Sequence, residues 1–143
     1  MDINYDDAQI KKEWCREQRT VISEYLNKEK LKYGSIGEFP SWFVAPYISI
    51  WAIHSLLNAN SIGWWVIAGD LPTDYISSKN ISTPREAIRQ FSDNWTELSS
   101  LMIQGKNHPS MKINTEENRI ELAELLEKRS KILHEWYNDE ALW

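Results

Sequence analysis

Asp70 and Asp74 are two carboxylates four residues apart, with Thr73 and Tyr75 beside them and Trp64 and Trp65 just upstream. Paired carboxylates at this spacing could share a proton, bind a cation or orient a substrate hydroxyl. An apolar indole wall could raise the pKa of either acid. Asp70 or Asp74 would then serve as general base or ligand anchor, Thr73 and Tyr75 as hydrogen-bond partners, and Trp64 and Trp65 as the wall. The structural alternative is that both Asp side chains accept backbone N–H groups within a turn. No known catalytic signature lies inside Gly63–Tyr75.

The remaining reactive side chains make no constellation. His54 sits among apolar neighbours, where a hydrogen-bonded core histidine is expected rather than a base. His108 and His134 lack acidic or thiol neighbours at metal-ligand spacing, so neither metal nor cofactor is expected. Cys15 has no adjacent base and reads as a half-buried small residue. Phosphate-loop and dinucleotide glycine patterns do not occur.

Four helices are expected to position these groups. The first runs from Asp6 to about Tyr33, with Ile10, Trp14, Val21, Ile22, Tyr25 and Leu26 on one stripe and Gly34 and Gly37 ending it. Phe39–Phe43 is expected to be a loop. Pro46 suits the first position of a second helix to about Asn58, apolar nearly all round and hence interior. Trp64–Ala68 reads as a short buried strand with Met111–Ile113 as partner, and Pro72-Thr73 as the centre of a type I turn. Thr83-Pro84-Arg85-Glu86 is a capping box opening a third helix whose seam is Ile88, Phe91, Trp95, Leu98 and Met102. Gly105 ends it. Asn114 or Thr115 caps a last helix to about Asn138, with Ile120, Leu122, Ala123, Leu125, Leu126, Ile132, Leu133 and Trp136 as its stripe. The expected fold is mainly α: a single four-helix domain over residues 1–143 around an aromatic core, with at most one short two-stranded β element.

Composition bounds the function. The 143 residues include eight Trp, mostly for an aromatic core with room for two or three at a surface, and carry a net charge of −5. That charge argues against nucleic acid as the main partner. Residues 34–78 hold no Lys or Arg, whereas 114–143 carry four basic and eight acidic side chains. Glu121 and Glu124 on the last helix, beside aromatic anchors, would suit a basic protein partner through charge steering. One Cys rules out an internal disulfide, and no apolar run is long enough for a membrane helix, so a cytoplasmic protein without membrane association is expected.

The stretch Gly63–Tyr75, the upstream Pro46-Tyr47 and Ile50-Trp51-Ala52, and the downstream Pro84-Arg85 together resemble a family of small bacterial proteins of unknown function. That resemblance implies a bacterial, cytoplasmic, stand-alone domain and brings no activity or ligand with it. The leading expectation is a non-enzymatic protein-interaction module, most concretely a small acidic immunity-type inhibitor that neutralises a toxin or enzyme by direct binding. A small-molecule or enzymatic site at Gly69–Tyr75 and a homodimeric structural subunit are the alternatives.

Overall fold

The computed structural model describes residues 2–105 and 119–143. It divides into two compact units, Met1–Ala87 and Ile88–Trp143. The mainly α, four-helix expectation is corrected: the described residues form an α+β fold with three α-helices and a five-stranded antiparallel sheet.

In the first unit, helix α1 spans Ala8–Lys28. Asp7 caps it, its Oδ1 accepting the amides of Gln9 (2.9 Å) and Ile10 (3.1 Å). Trp14, Cys15, Ile22 and Leu26 form its buried stripe, whereas Val21 is exposed. The helix stops short of Tyr33 because Lys30 takes a left-handed conformation (φ 58°). The Lys30 amide donates to Asn27 O and the Leu31 amide to Leu26 O, which satisfies the last carbonyls without a glycine.

Strands β1 (Ser35–Ile36), β2 (Trp42–Val44), β3 (Ile48–His54), β4 (Ile62–Gly69) and β5 (Leu71–Ser77) follow. β3 takes β1 and β2 along one side and β4 along the other, and β5 forms the far edge. The expected second helix is therefore the central strand of the sheet. A strand covered on both faces is apolar throughout, just as an interior helix is. Ile48, Ile50 and Ile53 are β-branched and favour the extended form. Pro46 starts no helix; it sits after a cis Ala45–Pro46 peptide in a turn closed by the Tyr47 amide on Val44 O. The expected loop Phe39–Phe43 contributes Trp42 and Phe43 to β2.

The strand expected at Trp64–Ala68 is present and longer. Its partners are β3 and β5; the proposed partner Met111–Ile113 lies outside the described residues. Trp51 pairs with Val66 and Ile53 with Trp64, placing these side chains on the face where Ile22 and Leu26 of α1 pack. Buried on this side, the Trp51 indole donates to Ser49 Oγ (2.8 Å), which donates to Ala68 O (2.9 Å). Arg19 of α1 donates to the carbonyls of Ile36 and Gly37, fastening the two-residue β1 to the helix.

Helix α2 spans Pro84–Ile103. Its capping box forms in modified shape: the Glu86 amide donates to Thr83 Oγ1 (3.2 Å), while the Glu86 carboxylate accepts the Ser82 amide instead of Thr83's. All five expected seam residues are buried, and Gly105 (φ +73°) ends the helix.

In the second unit, α2 runs antiparallel to helix α3 (Arg119–Asn138). Ser92 Oγ donates to Ser130 O (2.8 Å), and Arg119 Nε donates to Met102 O. Ser92, Ser99, Ala123 and Ser130 are buried, and such small side chains let two helices approach closely. The expected caps Asn114 and Thr115 lie outside the described residues. Trp143 is anchored, its indole donating to Trp136 O (3.0 Å). The expected α3 stripe needs correction, because Ile120 is 67% and Leu125 37% exposed.

Candidate functional site

The residues singled out by spacing fall on a β-hairpin, not on a type I turn. Gly69 closes β4, Asp70 is the tip, and Leu71–Ser77 return as β5. The tip is fixed by its neighbour, since the Asp70 amide donates to Tyr47 O (3.0 Å). A Cβ on Gly69 would lie 2.3 Å from the same Tyr47 oxygen, and its φ of +148° is one that glycine tolerates best. The ladder shifts register between Ile67 and Gly69, opposite the stretch holding Pro72, which has no N–H to contribute. The result is a rigid double corner that sets exposed Tyr47 beside exposed Asp70.

Asp74 serves the open edge of the sheet. Because the Ser78 amide donates to Gly63 O, even-numbered amides of β5 face β4 and the Tyr75 amide faces outward. Asp74 Oδ1 accepts that outward amide at 2.8 Å. An edge strand with its amides occupied is a poorer template for another chain. Tyr75 packs edge-on against Tyr25 of α1, with ring centroids 6.1 Å apart and planes at 62°. Burial pushes the Tyr25 hydroxyl well above its ordinary pKa of 10.0, and the Asp74, Glu29 and Tyr75 charges push it further in the same direction. Thr73 is half-buried on β5.

Trp64 and Trp65 point to opposite faces of β4. Trp64 joins the cluster under α1, while Trp65 is buried on the other side and donates to Ile81 O (2.9 Å). They therefore form no common wall beside Asp70 and Asp74. Trp64, Trp65, Gly69, Asp74 and Tyr75 thus each have a role in building the hairpin. Glu121 and Glu124 lie in the second unit, exposed on α3.

The expectations for His54 and Cys15 resolve differently. His54 is half-buried at the end of β3, and its Nδ1 has no hydrogen-bond partner among the described residues. Cys15 is buried, which raises its thiol pKa above 9.0 and disfavours the nucleophilic thiolate. Among the described residues, no group of three or more His, Cys, Asp or Glu is placed to hold a metal ion. No helix among them is long and apolar enough to cross a membrane.

The family model described as "Domain of unknown function (DUF4826)" matches residues 8–143. The chain belongs to that family. No curated protein and no solved structure matches it.

Two features of this DUF4826 chain escaped the sequence: apolar exposure on the acidic helix and a cavity. On α3, the exposed apolar side chains of Ile120 and Leu125 stand one helical turn from Glu124 and Glu121 respectively. Between α2 and α3 lies a cavity of about 310 Å³, lined by Ser92, Asp93, Thr96, Ser130, Lys131, His134 and Glu135. The available signal was the small residues Ser92, Ser99, Ala123 and Ser130, two pairs each seven apart, which mark a close helix contact. Nothing in the sequence shows which polar residues flank it.

Proposed function

We propose that this protein is a non-enzymatic interaction module of the bacterial cytoplasm whose α3 face binds a basic protein partner. An immunity-type inhibitor of a toxin or enzyme is the most concrete form of that reading. The Gly-Trp-Trp to Asp-Leu-Pro-Thr-Asp-Tyr stretch would then be the family's structural hallmark, a hairpin that holds the sheet together.

One observation carries the reading: Ile120 and Leu125 are left in solvent beside Glu121 and Glu124. Large apolar groups that a helix does not bury supply contact area. Carboxylates around them steer an oppositely charged partner and speed encounter. A ligand site at Gly69–Tyr75 has less support, because Asp74 is engaged with the Tyr75 amide and the two Trp side chains diverge. A homodimer through exposed Phe39, Leu56 and Leu57 is a further outcome that sedimentation would reveal.

The test is affinity capture from a native bacterial lysate with wild type, Ile120→Asp, and the pair Glu121→Lys with Glu124→Lys. Wild type should retain one stoichiometric basic protein. Ile120→Asp should release it faster, and the charge-reversed pair should associate at least about tenfold more slowly with a weaker salt dependence. Capture that is indifferent to all three substitutions would remove α3 as the contact.

A further inference from the structure

The groove between α2 and α3 has an unusual polarity. Three of its lining residues carry hydroxyls whose single hydrogens are already committed. Ser92 Oγ donates to Ser130 O at 2.8 Å, Ser130 Oγ to Glu127 O at 2.8 Å, and Thr96 Oγ1 to Ser92 O at 2.9 Å. A hydroxyl has one donor and two lone pairs, so what these three retain is acceptor capacity. Ser92 and Ser130 are 3% and 2% exposed, so they are held in place by the helix pair.

The rim continues the same bias. Asp93 and Glu135 bring carboxylates, one from each helix. The Lys131 ammonium is drawn to Glu127 Oε1 at 3.2 Å, which offsets its charge. His134 is the remaining lining residue. A cavity lined by committed hydroxyls and by a carboxylate from each helix favours a ligand rich in N–H donors and positively charged. Its volume of about 310 Å³ admits an alkyl chain as well as the charged head.

From this we infer that the α2–α3 groove binds a primary alkyl ammonium group, held by the Asp93 and Glu135 carboxylates over the Ser92, Thr96 and Ser130 oxygens. The group reaches the groove either as a free diamine or as the lysyl side chain of another protein. Its binding is separate from the Ile120–Leu125 face and does not depend on it.

Isothermal titration of the whole protein with putrescine, with 1,4-butanediol as the uncharged counterpart, and with a peptide acetylated only at its N-terminus and carrying one free lysine side chain tests this. Putrescine or the peptide should bind and the diol should not. Asp93→Asn and Glu135→Gln, both at exposed positions, should each weaken binding by about tenfold, the loss expected for one charged hydrogen bond. Glu17→Gln on α1 removes the same charge elsewhere and should leave the affinity unchanged. Tighter binding of the diamine than of the peptide assigns a free metabolite, and the reverse assigns a partner's side chain. Absence of heat with both amines overturns the inference. Equal weakening by Glu17→Gln does so as well, because it would show only general charge attraction.

Discussion

Tyr25 shows how much one side chain depends on surroundings that no local pattern contains. Its hydroxyl is pushed above pKa 10.0 by burial first and then by Asp74 and Tyr75 of the distant strand β5 and by Glu29, the C-cap of its own helix. The folded state therefore holds the phenol proton more tightly than the unfolded chain. That preference costs nothing below about pH 10, where both states are protonated. Above it the unfolded chain ionises while the fold does not, so stability falls as pH rises. Tyr25→Phe should flatten that alkaline loss, measured by urea denaturation at a series of pH values on either side of the ordinary tyrosine range. An unchanged slope would show that the phenol does not titrate differently in the two states. At this scale the sequence was partly legible. Asp74 was read as a residue that accepts a backbone amide, and it does, but along a strand edge rather than inside a turn. The helix stop at Lys30 was hidden, because a lysine in the left-handed region carries no compositional mark.

Elements were legible where one period fits one structure. Thr83-Pro84 followed by the Ile88–Met102 seam has a cap, a proline start and helical spacing, and α2 appears where these put it. Ile48–His54 has no such marks: a run buried on two faces satisfies helix and strand templates alike, and only the neighbouring strands decide between them. The β4–β5 hairpin was read as a turn because Pro72-Thr73 suits one, yet the reversal occurs earlier, at Asp70. Gly69 is the residue that permits it. Gly69→Ala should cost at least about 2 kcal/mol, since both the positive φ and the clash with Tyr47 O must be relieved. Equilibrium denaturation measures it, and a loss below about half a kcal/mol would mean that the corner yields easily.

Across the whole molecule, eight Trp point to a mostly aromatic core with two or three at a surface; Trp14, Trp51, Trp65 and Trp95 are interior and the other four are half-buried. Charge was legible as a total but not as a distribution in space, because which carboxylates meet apolar neighbours depends on how α3 lies on α2. The net charge of −5 sets a repulsion between copies at neutral pH against the pull of exposed Leu56, Leu57 and Ile120. Solubility should therefore pass through a minimum near pH 5.2, where that charge vanishes, as read by light scattering across an acid titration. A flat profile would show that these apolar groups do not associate even without repulsion.

The order of the strands has a kinetic side. β2 pairs with β3, β3 with β4 and β4 with β5, so three of the four pairings join neighbours along the chain, and Asp70 alone bridges the last. Closing a short loop loses little chain entropy, and sheets built from adjacent hairpins pass over low barriers. The first unit can thus zip its sheet together strand by strand, and only β1, tied in through Arg19, must wait for the centre to exist.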